Sequence, residues 1–530
     1  MDATLLPATR SGWLGTLLSQ RLALRLLAGA LLVHLLLALA FHLSPDEAHY
    51  ALYALHLDWS YYDHPPLVGW LQWPGLVLGA QDVLMRLVPM LGWALSALGA
   101  VRLTQQLYPQ LPAQAAASAA LLLWVLSPLP HLLGVALVPD TLLMPLSCAI
   151  MLLTWRLTDP AQARRLSLWL GLGLALGLAG LSKYTAVLLG LGGLLALAYA
   201  HRLRLLALPG LWLATLLAGL AITPVIGWNA SHGWISFAYQ LGHAAGQSEW
   251  LLRRVAAYLL VQILVYGALL LVGLLAAWRL RPDAPATLPA AARPPVPPLI
   301  FVLCFGAPPL LLYAFLSGRG TTLPHWSAPA WLALLPAAAA GCLALWQRRR
   351  RTLLALGGFQ ALVCAAMLGL IFNAGIGSET GAQAQSRPGE LRDSAPRNPV
   401  ADLYGWDSAA RRGQALAAER GVPTLAVMNW SLASRVGWYA RPMPVKVVQS
   451  HHDQFDLWFG PLQPGESVLL LDWSLMTFAP PVGPAQFERC ELIEQLPITH
   501  AGRQIAHFNY LLCSHWQGAE EPPLGRPPAH

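Results

Sequence analysis

Between residues 22 and 373 the chain is a succession of long apolar runs separated by short polar stretches, and this pattern restricts the fold more than any other feature. A helix needs about 20 apolar residues to cross about 30 Å of hydrocarbon. Inside a bilayer the backbone must satisfy its own polar groups, which leaves only helices and closed barrels. Helical spans are expected at 22–43, 83–107, 113–130, 141–157, 166–182, 185–200, 205–226, 254–278, 298–317, 328–346 and 352–373, about eleven in all. With 56% hydrophobic and 11% charged residues, the chain is too apolar for a soluble globular protein. The reading is a multi-spanning α-helical membrane protein.

The formal charge of +8 is carried by arginines at the ends of apolar runs, which makes it a record of topology rather than a nucleic-acid footprint. Short cytoplasmic loops carry excess Lys and Arg. With the N-terminus inside, Arg102, Arg156, Arg164, Arg165, Arg202, Arg204, Arg279, Arg281, Arg293 and the run from Arg348 to Arg351 all fall on the cytoplasmic side. The same parity places the loop 44–82, Asp140, Lys183, the loops 227–253 and 318–327, and the whole tail outside. Ala38-Leu39-Ala40 has the form of a signal-peptidase site, but the length of the preceding apolar run favours an uncleaved anchor.

Residues 281–298 are rich in proline and alanine and read as a cytoplasmic linker. The chain divides into a membrane module, 1–373, and a polar unit, 374–530, expected to be a periplasmic α/β domain. After a Gly/Ser/Gln-rich stretch, that unit alternates helical signals at 406–420 and 432–439 with strand signals at 424–428, 445–448 and 468–471. Segments 488–494 and 504–512 add a candidate antiparallel pair. Of the six cysteines, Cys148, Cys304, Cys342 and Cys364 lie in apolar runs and read as small buried hydrophobes. Cys490 and Cys513 lie in the tail, where an oxidising compartment would allow them to pair, although the sequence does not decide whether they do.

Two stretches of the first outer loop are too polar for a simple connection: Ser44-Pro45-Asp46-Glu47-Ala48-His49-Tyr50 and Tyr61-Tyr62-Asp63-His64-Pro65-Pro66-Leu67. Ionisable groups at the membrane edge are costly and call for a reason. Asp46 and Glu47 follow Pro45 at the start of a short helix, where the alternatives are catalysis or plain capping. Pro65-Pro66 fixes an extended turn and holds Asp63 and His64 in place, or merely starts the next helix. Asp140 follows Pro139 at the outer start of a span, a position equally suited to an N-cap. Lys183 offends the charge rule, and a phosphate would supply its missing anion. Snorkelling to the interface is the competing account. Arg253, Arg254 and Arg319 are the further outer cations that with Lys183 would hold a phosphate or pyrophosphate ester. No Walker loop, G-x-G-x-x-G or H-E-x-x-H element stands where a soluble nucleotide site or a zincin would need it. Carboxylates facing cations on one membrane face suit group transfer from a lipid phosphate, with a carboxylate taking the acceptor proton and cations stabilising the departing phosphate.

The chain resembles the polytopic glycosyltransferases of family 39 and the 4-amino-4-deoxy-L-arabinose lipid A transferases, which share the C-type membrane fold with protein O-mannosyltransferases. The resemblance rests on Pro45-Asp46-Glu47-Ala48-His49-Tyr50, Tyr62-Asp63-His64-Pro65-Pro66-Leu67, Pro139-Asp140, Leu181-Ser182-Lys183-Tyr184-Thr185, Leu323-Pro324-His325-Trp326 and Gln454-Phe455-Asp456-Leu457-Trp458. It implies a sugar on a polyprenyl phosphate as donor, inversion at the anomeric centre, Asp46 as base with Glu47 beside it, and Lys183 on the donor phosphate. His49, Tyr50, Tyr62, Asp63, His64, Asp140, Tyr184 and His325 are the expected substrate contacts. The arabinose transferases usually carry arginine and lysine where this chain has His49 and His64. Some relatives bind a divalent metal near this loop, for which Asp63 and His64 are the candidate ligands; two ligands do not make a site, and no other cofactor is expected. The expected partners are the lipid-linked donor and a lipid or protein acceptor, at the outer face of a bacterial inner membrane. The rival readings are a transporter or lipid flippase, or a receptor-like or assembly protein whose tail binds a partner.

Overall fold

The structure, a computed structural model, describes residues 20–245, 249–280, 294–320, 322–372, 401–448 and 452–518. Residues 281–293 and 374–400, expected as linkers, lie outside them.

The chain enters through α1 (Gln20–Ala40) and turns at once into α2 (Pro45–Leu55) and α3 (Leu67–Val77), the two short helices of the loop 44–82. A single turn, α4 (Asp82–Met85), leads into α5 (Leu87–Leu107), followed by α6 (Ala113–Leu126), α7 (Pro128–Leu133) and α8 (Pro139–Thr158). The middle of the chain folds as α9 (Leu166–Ser182), α10 (Val187–His201), α11 (Pro209–Ala221), α12 (Thr223–Ser231) and α13 (Ile235–Ala245). The helical part ends with α14 (Leu252–Tyr266), α15 (Ala268–Leu280), α16 (Pro298–Ser317) and α17 (Ala328–Phe372).

Among the described residues six helices are long and apolar enough to span a membrane, or eight if the bent pairs α11/α12 and α14/α15 each form one span. The expected eleven spans are partitioned differently for physical reasons. Helices α6 and α9 have 14 and 17 residues, short of the roughly 20 that a full crossing takes. The runs 328–346 and 352–373 form two helical arms, described together as α17, that meet in a kink where Arg349 leaves helical geometry at φ −135° and ψ 28°. The α14/α15 pair bends by 98° at Gly267. There the freed Leu269 N–H donates to Gln360 Oε1 at 2.8 Å, while Gln360 Nε2 donates to the Leu126 carbonyl at 3.0 Å. A neutral side chain thus satisfies the break.

The C-terminal unit contains α18 (Trp406–Glu419), β1 (Leu425–Val427), α19 (Trp430–Tyr439), β2 (Val445–Val447), α20 (Gln454–Phe459), β3 (Val468–Trp473), β4 (Phe487–His500) and β5 (Arg503–Trp516). Its sheet has the order β2-β1-β3-β5-β4, parallel across β2, β1 and β3 and antiparallel from there on. Strands β4 and β5 run for 14 residues each, longer than expected, because register shifts after Leu492 and Ile498 break the alternation that would mark a long strand. Cys490 and Cys513, neighbours across these strands, form a disulfide.

Helix α2 joins the two parts. Ala48, Ala51 and Leu52 are buried in the core that holds Trp406, Trp438 and Trp473 of the C-terminal unit, whereas Tyr50 and Tyr53 belong to the core of the membrane helices. The i, i+3, i+4 spacing puts each set on its own stripe. One helix therefore contributes to both hydrophobic cores.

Candidate active site in the first outer loop

Helix α2 begins with Pro45 at its first position, where proline costs no hydrogen bond. Glu47 closes the first turn, accepting the Ser44 N–H at Oε2 over 3.0 Å. Its oxygens also accept from Arg86 Nε at 2.7 Å and Nη2 at 3.0 Å. Arg86 is 3% exposed and further donates to the carbonyls of Phe41 (2.7 Å) and His42 (2.8 Å). Both Glu47 oxygens are thus engaged in holding the loop to the end of α1. Asp46 has no hydrogen-bond or ion-pair partner among the described residues and is half-buried.

Asp46, His49, Tyr50 and Tyr53 fall at i, i+3, i+4 and i+7 and share a face. His49 Nε2 lies 3.3 Å from Asp63 Oδ1, which also accepts from the Tyr53 hydroxyl. His49 Nδ1 lies 3.2 Å from Ser434 Oγ of α19. The Asp63 backbone is fixed from the far side, where Gln240 Nε2 donates to its carbonyl at 2.6 Å. His64 follows, its ring 5.7 Å from that of Tyr50 and its buried Nδ1 without a hydrogen bond. Tyr62 stacks toward Tyr239 at 4.9 Å, and its N–H donates to Gln454 Oε1 at 2.7 Å.

The second half of the site comes from two helix ends. Asp140 lies in the first turn of α8, and Lys183 follows the last residue of α9. Ser182 Oγ donates to the Pro139 carbonyl at 2.8 Å and ties the two ends together. Lys183 Nζ donates to Asp140 Oδ2 at 2.6 Å, and His325 Nε2 lies 3.6 Å from the same oxygen. The anion that Lys183 lacked in the sequence is thus supplied, in this state, by Asp140. Asp140 Oδ1 is buried and makes no hydrogen bond, so one oxygen of a 1% exposed carboxylate remains open to a donor.

These halves lie within electrostatic reach of one another. Burial pushes the Asp46 carboxyl above its usual range; His49 pulls it down, and Asp63, Glu47 and Asp140 push it further up. Burial alone would also raise Asp63, but the His49 ring, through its charge and its hydrogen bond, holds that carboxyl well below the usual range. Burial lowers His64 to about 4, so it is a neutral imidazole near pH 7. The two carboxylates of one loop therefore differ, Asp46 being the more basic.

Of the remaining expected cations, Arg254 lines a cavity of about 510 Å³ with Tyr258, Ser317, Thr322 and Pro324, the last adjoining His325. Arg253 and Arg319 are exposed, and Arg319 lies 6.0 Å over the Phe315 ring. No contact joins Arg253 or Arg319 to Lys183 among those resolved. A larger apolar cavity of about 580 Å³ runs between α9, α10 and α11, lined by Leu172, Leu194, Ala214 and Ile222, with Tyr184 and Phe237 also on its wall. Tyr184 is the neighbour of Lys183.

Among the described residues no three His, Cys, Asp or Glu side chains form a metal-binding group. Asp63 Oδ1 is already engaged by His49 and Tyr53, and Asp63 with His64 supplies at most two ligands. Sequence reasoning missed Arg86, Tyr53 and Ser434. Arg86, an outer-side arginine against the charge rule, carried a readable signal; Ser434 carried none.

The model of the dolichyl-phosphate-mannose-protein mannosyltransferase family matches residues 63–228. In fold the chain is similar to ArnT from Cupriavidus metallidurans in the apo state, at 14% identity over 92% of this chain and 97% of that one, with a TM-score of 0.57. The same protein bound to undecaprenyl phosphate matches at 15% identity, over 92% and 98% of the two chains, also with a TM-score of 0.57. No curated protein matches significantly. The resemblance to family 39 and to the arabinose lipid A transferases thus has a family match over part of the chain and a fold match over most of it.

Proposed function

We propose that this chain is a membrane glycosyltransferase that moves a sugar from a polyprenyl phosphate to an acceptor hydroxyl or phosphate on the outer face of a bacterial inner membrane. The observation that carries this reading is the half-buried, unpartnered and unusually basic Asp46 carboxylate, held on one helix face with His49 and within electrostatic reach of the Asp140–Lys183 pair. A carboxylate with these properties is suited to take a proton from an attacking hydroxyl.

The acceptor O–H gives its proton to Asp46 as its oxygen attacks the anomeric carbon. The bond from that carbon to the phosphate oxygen breaks, and the electron pair leaves with the polyprenyl phosphate. A single displacement inverts the centre. Lys183 has three N–H groups and spends one on Asp140, leaving others for the developing phosphate charge. Its neighbour Tyr184 stands on the wall of the apolar cavity, which suits an isoprenoid chain. The matching solved protein was captured with undecaprenyl phosphate, which favours a lipid of that class. Arg254, beside the turn that bears His325, is the better placed of the remaining arginines for the phosphate.

Counting α6 and α9 as crossings beside the eight, and the two arms of α17 as two rather than one, gives eleven, which returns the C-terminal unit to the side opposite the N-terminus. The Cys490–Cys513 disulfide supports an oxidising, periplasmic location. Against transport, the charges gather around α2, while the sharpest break in a span is filled by the neutral Gln360. Mass spectrometry of lipid A, other lipids and envelope glycoproteins, from cells with and without the gene, tests the reading. One class should lose the mass of a sugar when the gene is removed; identical spectra in all classes would overturn it.

A further inference from the structure

Ser434 of α19 ties His49 to the C-terminal unit. Ser434 is 0% exposed, and its hydroxyl donates to the Trp430 carbonyl one helical turn back at 2.7 Å. A hydroxyl has one proton and two lone pairs. Oγ also lies 3.2 Å from His49 Nδ1, within hydrogen-bond distance. This settles which nitrogen faces which partner: Nδ1 points to the C-terminal unit, and Nε2 points to Asp63.

The ring is also fenced on its faces, by Tyr50 at 5.5 Å and Tyr53 at 5.1 Å from its own helix, and by Trp430 at 5.5 Å from α19. Helix α19 is in turn referenced to the loop. Trp438 Nε1 and the Tyr439 hydroxyl donate to Asp82 at 2.9 and 2.5 Å, and the Tyr439 oxygen accepts the Leu43 N–H at 2.7 Å. On its inner side Arg435 pairs with Asp402 and lies 3.6 Å over the Trp406 ring. Ser434 is therefore held at a fixed place relative to the loop that bears Asp46.

We propose that Ser434 is a positioning residue for transfer: through its hydrogen bond with His49 Nδ1 it fixes that ring against Asp63 and beside Asp46, so that the C-terminal unit completes the site it covers. The effect passes through the imidazole. Without Ser434 the ring keeps its pocket but loses one of the two bonds that set its plane, and a small misplacement at a reacting centre is expensive.

This inference rests on the transfer reading, and its test is run in full-length protein on the product that gene removal identifies. S434A is expected to lower kcat about ten- to a hundred-fold with donor KM changed less than about two-fold. S434T, which keeps the hydroxyl, should restore most of the rate. In an H49Q background, S434A should cost little more, because the two act as a unit. Full turnover by S434A, failure of S434T to improve on S434A, or a loss in H49Q as large as in the wild type would each overturn the inference. Should S434A fail to fold, S434C takes its place in each of these comparisons. An active wild type with an indifferent S434A refutes this inference alone; a wild type without product in any envelope fraction refutes the transfer reading and takes the inference with it.

Discussion

Adjacent carboxylates at the start of α2 have been given opposite tasks by their surroundings. Asp46 is left unpartnered and pushed up by burial, whereas Glu47 is bound twice by the buried Arg86 and caps the helix. D46N should reduce transfer about a hundred- to ten-thousand-fold with no loss of thermal stability, since it removes a charge that the folded state disfavours. E47A should do the reverse to the fold, costing about 3–5 kcal/mol by stranding the Arg86 guanidinium, read as a fall in melting temperature of the purified protein. A D46N enzyme at near-normal turnover would remove Asp46 as base. The rate should also carry the sign of the pKa shift. With Asp46 as the proposed base, transfer requires its ionised form, so activity should be lost as pH falls through a value above the ordinary carboxylate range, and a pH–rate profile whose acid limb lies within that range would contradict this. Asp63, held low, is already ionised there. The sequence showed Asp46, Asp63, Asp140 and Lys183 as anomalies one at a time. It did not show that Asp140 and Lys183 answer one another, because 43 residues and two whole helices separate them. It gave no hint of Ser434, an ordinary helical serine whose importance comes only from what lies opposite.

At the scale of elements, α2 and α3 are in close contact. A Cβ added at Gly69 would lie 2.6 Å from Tyr53 Cβ and 3.1 Å from the Tyr53 carbonyl carbon, and the backbone cannot yield as a flexible side chain would. G69A should therefore cost about 1–3 kcal/mol and displace the face that carries His49 and Tyr53. The measurement is the melting temperature together with transfer activity, both of which should fall; an unchanged melting temperature would show that the contact gives way. Apolar runs announced the spans because hydrocarbon thickness imposes length on them. Bends were less legible: the arginine run reads as a loop, and the two arms of α17 do part there, but at the single non-helical residue Arg349. The β4–β5 pair was recognised over 488–494 and 504–512 and missed over 495–500 and 513–516. Of the short elements of the C-terminal unit, α18 buries one stripe, Trp406, Ala409, Ala410, Gly413, Leu416 and Ala417, whereas α19 is buried all round from Leu432 to Trp438.

For the whole molecule, the membrane helices and the C-terminal unit share a helix rather than a flat interface. D82A would deprive Trp438 and Tyr439 of their acceptor, at about 1–3 kcal/mol for each donor left unsatisfied. Amide hydrogen exchange should then quicken together in α2 and α19, while α8 and α9 stay protected; unaltered exchange in α2 would show that the two parts hold without this joint. No reading of the sequence foresaw such a joint, because nothing in a run of alanines and leucines states which of two cores it will enter. Its consequence concerns time as well as space. The Ala48, Ala51 and Leu52 stripe is made early in synthesis and waits uncovered until residues 401–518, the last described part of the chain, have emerged and folded over it. A chain released before that point has every residue of its first loop and lacks the cover, the Ser434 contact and the Gln454 contact. Completion of the polypeptide is thereby made a condition of having an assembled active site.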